Sequence, residues 1–412
     1  MSKNNENKLI PRLRFPEFQH SEEWEVKNFG EVFSSYSGGT PNTSKKEYYG
    51  GDIPFIRSAE INKEKTELFL TELGIQNSSA KMVSKGDLLI ALYGANSGDV
   101  AISKIDGAIN QAVLCLKSEF SNSFAAFYLS GKKDWIVSKY IQGGQGNLSG
   151  EIVKSIPVPF PKKAEQQKIA SCLSSLDEVI AGERQKLALL QQHKKGLLQQ
   201  LFPQEGETLP TLRFKEFEDS GEWEVKKLGE VGEPLMCKRI FKNETTQNSK
   251  ERVPFYKIGT FGRVADSYIS KDIYEEYKIK YPFPKKGDIL ISASGTIGRL
   301  VIYDGAPSYF QDSNIIWLGH NEAIVLNSFL YYCYTKIKWQ TSDGGVISRL
   351  YNSDFKGMTV CFPPNKSEQQ KIATCLSSLD DIITAQTQKI ELLEQHKKGL
   401  LQGLFPNVND HG

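Results

Sequence analysis

Histidine and cysteine are scarce in this chain of 412 residues, five and six respectively, and the cysteines stand singly with no CxxC or Cys/His spacing. That pattern excludes a zinc framework and a disulfide scaffold, and no metal site and no bound cofactor is expected on the chain itself. Long apolar runs are missing too. Nothing approaches the roughly 18 residues that a membrane span needs, and the opening MSKNNENKLI has no hydrophobic signal core, so the expected location is the cytoplasm. Charge of one sign is also absent: 51 Lys and Arg against 49 acidic residues leave a formal net charge of +2, and any surface for a polyanion must be local. No GxxxxGK[ST] phosphate loop occurs, which argues against an ATP motor of that type. Asp106, His193 and the other isolated ionisable residues lack nucleophile-to-base spacing. Glu25-Val26-Lys27 and Glu224-Val225-Lys226 match the ExK end of a nuclease motif, but position 20 is His where position 219 is Asp. No catalytic residue is expected.

What the chain does have is a repeat. Glu165 to Pro203 recurs at Glu368 to Pro406 with 28 of 39 positions identical, and the spacing is far beyond the period of about 20 to 50 residues of a solenoid. The simpler reading is a duplicated unit. Its echo begins earlier, LRFPEFQHSEEWEVKNFGEV at Leu13 to Val32 against LRFKEFEDSGEWEVKKLGEV at Leu212 to Val231. Each unit is therefore an opening element, a variable body and a long helix. The predicted division is an N-terminal arm over 1–11, a body over 12–161, a helix over 162–203, a linker over 204–210, a second body over 211–364, a second helix over 365–406 and a tail over 407–412.

Within each helix copy the apolar residues step by four and three, the spacing of a coiled-coil seam. The seam runs Ile169, Leu173, Leu176, Ile180, Leu187, Leu190, Leu197 and Leu201 in the first copy, and Leu379, Ile383, Ile390, Leu393, Leu400 and Leu404 carry it in the second. Its polar breaks are Glu183 and Lys194, matched by Gln386 and Lys397. A parallel in-register pair would bury Lys194 against Lys397. An antiparallel pair sets Glu183 opposite Lys397 and Lys194 opposite Gln386, with Leu176 meeting Leu404, Leu187 meeting Leu393 and Leu197 meeting Ile383. The expected fold is α+β: two β-rich bodies in tandem, each followed by a long helix, the helices forming an antiparallel coiled coil with pseudo-two-fold symmetry. At about 1.5 Å per residue such helices are a spacer on the order of 50 Å.

Both bodies are dense in strand and turn signals. Lys85-Gly86-Asp87 before Leu-Leu-Ile answers Lys286-Gly287-Asp288 before Ile-Leu-Ile, and elsewhere the two have little in common. Trp24 and Trp223 read as core anchors on short strands. One amphipathic helix is predicted to close each body, over 124–140 and 326–339. Next come the glycine turns at 143–146 and 344–345, then prolines at 157–161 and 363–364 that suit a stiff hinge. Ser367 is the predicted N-cap of the second helix.

The unit order, SGGTP at Ser37 to Pro41, YYGGDIPFI at Tyr48 to Ile56 and the two EQQKIA helices resemble the specificity subunit of Type I restriction-modification systems. The resemblance covers nearly the whole chain and rests on its architecture more than on any one motif. It implies that each body is a target-recognition domain reading one half of a bipartite site in double-stranded DNA. The helices would set the spacing and dock two methylation subunits, to which restriction subunits add. The subunit itself would perform no chemistry, with S-adenosylmethionine, ATP and Mg held by partner subunits. Consistent with that, the chain has neither Asn-Pro-Pro nor Asp-Pro-Pro before an aromatic, nor a glycine-rich turn after a first strand, as a self-sufficient methyltransferase would need.

Base contacts carry the sequence information, so the candidate DNA-binding residues lie where the bodies differ. In the first body they are Lys45, Lys46, Tyr48 and Arg57 near the glycine turns, Tyr93 and Asn96 in the next loop, and the amides Gln142, Gln145 and Asn147, suited to adenine edges. In the second they are Lys238, Arg239 and Lys242, then Lys257 and Thr260, then Ser294, Thr296 and Arg299 in a turn whose amides suit a phosphate. Arg349 and Tyr351 correspond to Asn147 and Ser149. The competing reading is a non-catalytic coiled-coil scaffold carrying two β-rich modules for protein or glycan ligands; a shifted bipartite DNA duplex separates the two.

Overall fold

A computed structural model of the chain describes residues 9–140, 147–339 and 349–406. The chain divides into two units, one of Met1–Lys186 with Gln386–Gly412 and one of Leu187–Ala385, so the boundary runs through both long helices.

In the first unit, β1 (Glu25–Asn28), α1 (Phe29–Val32), β2 (Ser34–Ser37), β3 (Tyr49–Ile56), β4 (Phe69–Leu70), α2 (Glu72–Gln76), β5 (Lys81–Val83), β6 (Leu88–Ala91), β7 (Val100–Ile102), β8 (Gly107–Ile109) and β9 (Val113–Lys117) precede α3 (Asn122–Gly131), α4 (Lys133–Tyr140), α5 (Gly150–Ser155), β10 (Pro157–Phe160) and α6 (Lys163–Gln200). One sheet has the order β2-β9-β6-β7, a second β4-β3-β8-β5, and β1 pairs with β10. Every residue of β6 is buried, as a strand covered on both faces requires, and its sequence is correspondingly apolar throughout. The SGGTP turn is tied to its glycines by close approach. A Cβ on Gly38 would lie 1.8 Å from the carbonyl oxygen of Ile109, and one on Gly39 would lie 1.9 Å from the Ser79 hydroxyl.

The second unit runs β11 (Glu224–Lys227), α7 (Leu228–Val231), β12 (Glu233–Leu235), β13 (Val253–Tyr256), β14 (Tyr268–Ile269), α8 (Lys271–Lys280), β15 (Ile289–Ser292), β16 (Leu300–Ile302), β17 (Tyr309–Phe310), β18 (Ile315–Gly319), α9 (Asn327–Lys336), α10 (Asn352–Gly357), β19 (Thr359–Phe362) and α11 (Lys366–Leu404). Its sheets are β12-β18-β15-β16, β14-β13-β17 and β11-β19. The four-stranded order repeats that of the first body strand for strand, and β3–β8 and β13–β17 are both parallel pairs. The likeness of the bodies thus extends well beyond the Lys-Gly-Asp turn visible in sequence. In that turn Gly86 and Gly287 take φ near +96° and +94°, and the Asp87 and Asp288 carboxylates accept from the backbone N–H of Ser84 and Lys285 at 2.8 and 2.7 Å.

Several local expectations are corrected. The helix expected over 124–140 breaks at Lys132 into α3 and α4, and the one expected over 326–339 ends at Lys336, where Ile337 turns extended. The prolines expected to form a hinge lie in strands or beside them. Pro157 and Pro159 pair in β10 with Asn28 and Val26, a two-stranded setting in which a missing N–H is tolerated. Asn365, not Ser367, caps α11: its side-chain oxygen accepts from the Ser367 N–H at 2.9 Å. The glycine turns at 143–146 and 344–345 lie outside the described residues.

The start of each long helix is locked by a set of polar clamps, the same in both units. Arg14 donates to both oxygens of Glu165 at 2.8 Å, and Arg213 to both of Glu368 at 2.7 and 2.8 Å. The carboxylates are 2% and 0% exposed, and a buried charge is tolerated only when paired this well. Gln166 and Gln369, both fully buried, donate to the carbonyls of Pro161 and Pro363 at 2.9 and 2.8 Å. Lys168 and Lys371 pair with Glu17 and Glu216. The Glu-Gln-Gln-Lys motif is therefore a structural fastening of helix to body.

The far end of each helix is anchored in the core of the opposite repeat's body. Phe405 packs with Trp24, Phe124 and Tyr128 in the first unit, and Phe202 with Trp223 and Phe329 in the second. The backbone N–H of Leu13 donates to the Gly403 carbonyl at 2.8 Å and that of Leu212 to the Gln200 carbonyl at 2.9 Å. Both tryptophans are core anchors, 4% and 3% exposed. Their indole N–H groups have no hydrogen-bond acceptor among the described residues, and both rings meet a phenylalanine near edge-on, the favoured aromatic geometry.

Between these ends the helices run antiparallel. In the first unit Glu183 accepts from Gln386 at 2.6 Å and pairs with Lys389, Arg184 pairs with Glu394, and Lys397 pairs with Asp177. In the second, Lys194 pairs with Asp380, which also accepts from the Tyr332 hydroxyl at 2.9 Å. The direction is the expected one, and the register is not. Glu183 was expected opposite Lys397 and Lys194 opposite Gln386; both lysines instead reach aspartates about a heptad away. The reason is electrostatic. Lys194 gains more from the Asp380 carboxylate than from the Gln386 amide. Lys397 exchanges the Glu183 carboxylate, which Gln386 and Lys389 occupy, for that of Asp177, and Lys397 and Lys194 also sit over the rings of Phe127 and Tyr332. The seam residues are all buried or half-buried.

Candidate nucleic-acid interface

In each body three segments converge on the turn that joins an inner strand of the four-stranded sheet to the edge strand beside it, β6 to β7 or β15 to β16. In the first this turn follows β6 through Gly94 and Asn96; in the second it follows β15 through Gly295 and Thr296. Glycines at positive φ shape both, Gly94 and Gly98 at +79° and +84°, Gly295 and Gly298 at +64° and +81°. The segment after the closing helix lies alongside. Leu148 N–H donates to the Leu92 carbonyl and Leu350 N–H to the Ala293 carbonyl, both at 2.8 Å, and Arg349 bridges to Ser294. The third segment is the turn after β3 or β13. It leaves an open cleft of about 340 Å³ beside Asn96 in the first body and one of about 200 Å³ beside Thr296 in the second.

The candidates fall into three groups. Tyr93, Asn147, Thr296, Arg349 and Tyr351 are exposed around the turn, and Asn96 and Arg299 are half-buried in the clefts. Arg299 donates to the Phe261 carbonyl at 2.8 Å and Arg349 to the Ser313 carbonyl at 3.0 Å, and among the described residues neither guanidinium pairs with a carboxylate. Lys45, Lys46, Lys238 and Lys242 are exposed outside the clefts, with Lys238 over the Tyr281 ring.

A third group is occupied by structural duties. Tyr48 and Ser294 are buried, 6% and 8% exposed, the Ser294 hydroxyl donating to Asn314 at 2.7 Å. Thr260 closes its own turn by accepting from the Lys257 N–H. Arg57 grips Glu60 and Glu67. Burial works to raise the Glu60 pKa, but the guanidinium and two backbone N–H groups outweigh it and hold the carboxyl below its usual range. Arg239 pairs with Asp312 and Lys257 with Asp266, whose pKa is lowered chiefly by that lysine. Gln142 and Gln145 lie outside the described residues. Sequence reading did not single out Asn62, Asp99 and Lys133, which line the first cleft, or Arg263, which lines the second. The usable signal was the alignment of Gly98-Asp99 with Gly298-Arg299.

Among the described residues no cluster of three or more His, Cys, Asp or Glu could hold a metal, and no helix is long and apolar enough to cross a membrane. What the arrangement offers is polar and cationic recognition on a rigid sheet edge.

Comparison with known proteins supplies the context. The family described as Type I restriction modification DNA specificity domain matches residues 21–192 and again 220–395. A putative type I restriction enzyme specificity subunit of Haemophilus influenzae is 39% identical over 284 residues, 68% of this chain and 70% of that one. The type I restriction enzyme MjaIX specificity subunit of Methanocaldococcus jannaschii is 25% identical over 414 residues, 93% of this chain and 92% of the other. Among solved structures, the S subunit of a type I restriction-modification system from M. genitalium matches in fold with a TM-score of 0.63 at 17% identity, covering 97% of this chain and all of that one.

Proposed function

The chain belongs to the Type I restriction-modification DNA specificity family, and from that premise we propose how its parts divide the work of a specificity subunit. The subunit binds DNA and acts within a complex; it is not an enzyme on its own. Each body reads one half of a bipartite duplex site, and the paired helices set the spacing between the halves. The near-identical helices dock two methylation subunits, through which restriction subunits join. S-adenosylmethionine, ATP and Mg belong to those partners, and the complex works in the cytoplasm. The domain boundaries at 12–161 and 211–364, with helices over 162–203 and 365–406, follow the same division.

The observation that carries this reading is the pairing of like scaffolds with unlike turns. Two bodies share a sheet order but differ in the residues at equivalent turn positions, as two readers of different sequences should. The solvent-facing lysines, Lys45, Lys46, Lys238 and Lys242, serve as phosphate contacts, and their neutralisation should flatten the salt dependence of DNA affinity. The decisive experiment expresses the chain with its methylation partner in a host lacking adenine methylation and maps the methylated adenines. A motif of two short elements separated by a fixed unspecified spacer is expected. Methylation at one contiguous motif, or without sequence preference, overturns the reading.

A further inference from the structure

The two clefts occupy one and the same place in the fold. Asp99 and Arg299 are equivalent: the Ala91 N–H donates to the Asp99 carbonyl at 2.9 Å and the Ser292 N–H to the Arg299 carbonyl at 3.0 Å. The Gly98 and Gly298 N–H groups return to Ala91 and Ser292 at 2.9 and 3.0 Å. The wall turns are equivalent too, since the Glu60 N–H reaches Arg57 and the Thr260 N–H reaches Lys257 in the same way. An identical backbone frame thus presents different side chains. The first cleft holds Asn62, Asn96 and Asp99, with Lys133 on Oδ1 of Asp99. The second holds Arg263 and Arg299, and no carboxylate among the described residues lines it.

Donor and acceptor chemistry then separates the two. A guanidinium offers paired donors that match the O6 and N7 acceptors of guanine, an amide matches N6 and N7 of adenine, and a carboxylate accepts from the N4 amino group of cytosine. We propose that this cleft is the base-reading element of each body: Arg263 and Arg299 read guanine in one half-site, and Asn96 and Asp99 read adenine and cytosine in the other. Lys133 is a positioning residue that holds the Asp99 carboxylate through Oδ1. This assignment rests on the reading of the chain as a DNA specificity subunit.

The test selects bound duplexes from a random library, using the full chain assembled with its methylation partner, as wild type and as Arg263→Ala, Arg299→Lys and Asp99→Ala variants. Wild type is expected to select a bipartite motif. Arg263→Ala and Arg299→Lys should each relax one guanine in one half by roughly 5- to 150-fold and leave the other half unchanged. Asp99→Ala should relax a cytosine in the opposite half. Arg263 is exposed, so misfolding does not confound that arm. Unaltered motifs in all variants, or a loss of affinity uniform over all sequences with a flatter salt dependence, overturns the cleft assignment alone. Failure of the wild type to select any bipartite motif overturns the specificity reading and the cleft assignment with it.

Discussion

The two long helices keep most of their residues in common, whereas the two bodies keep almost only their strand order. The contrast follows from what holds each in place. A helix fastened by Arg14 on Glu165, or Arg213 on Glu368, needs those residue types, because either partner alone leaves a buried charge. A sheet core needs apolar residues of suitable total volume and tolerates their exchange, so Leu88-Leu89-Ile90-Ala91 and Ile289-Leu290-Ile291-Ser292 fill the same place. Turns open to solvent are under neither demand. Asp99 and Arg299 can therefore differ in charge on one backbone frame, and divergence there is free to become recognition.

The comparison can be broken first at the helix ends. Phe405→Ala and Phe202→Ala should each cost about 3–5 kcal/mol, and each in the unit where the ring is buried. Hydrogen exchange should rise in peptides from 124–140 for Phe405→Ala, and in peptides from 223–235 and 325–336 for Phe202→Ala. Equal loosening of both units by either change would contradict the anchoring described here. Next in size are the buried amides. Gln369 accepts from the Leu326 N–H at 2.8 Å and donates to the Pro363 and Ile324 carbonyls, whereas Gln166 meets the Ser121 N–H only at 3.5 Å. Gln369→Ala should cost about 1–3 kcal/mol and Gln166→Ala less. Urea denaturation of both variants decides it, and the reverse order would show that the clamps are not what separates the two helix starts.

Much of this architecture is legible in the sequence, and the illegible parts share a cause. The seam, its antiparallel sense and the tryptophan anchors follow from periodicity and residue type. The register does not, since Asp177 and Asp380 lie off the seam and capture Lys397 and Lys194 only once the helices are side by side. The kinship of the bodies showed in sequence at the Lys-Gly-Asp turn and little further, because strands of three to five residues carry little pattern of their own. At the cleft turns, residue type alone made Arg57 as attractive as Arg299. Only the fold reveals that Glu60 and Glu67 occupy the first and that no carboxylate among the described residues meets the second.

A smaller effect sharpens the comparison at the turns. A Cβ on Gly298 would meet Trp339 at 2.1 Å, whereas one on Gly98 would come no nearer to a neighbour than 3.3 Å, at Val137, and both positions have positive φ. Alanine at either carries the left-handed backbone cost of about 1–2 kcal/mol, and Gly298→Ala adds a steric one. Its melting temperature should fall further than that of Gly98→Ala; equal shifts would mean that Trp339 moves aside without cost.

The smallest effect lies where the two helix copies meet at equivalent positions, Glu183 and Gln386. The Glu183 pKa is lowered, first by Lys389 and then by Gln386. A carboxylate whose folded pKa is depressed stabilises fully above its unfolded value and loses that contribution as pH falls through the folded one. The helix pair should therefore loosen below the usual glutamate range in wild type. Glu183→Gln removes the titrating group and leaves two amides face to face, as a truly symmetric pair would have. Comparing melting temperatures near pH 7 and pH 3.5, the variant should lose slightly less stability on acidification than wild type. An identical acid response in both would show that the Glu183 contacts with Lys389 and Gln386 contribute nothing in solution, and that Glu183 could equally have been the glutamine its copy carries.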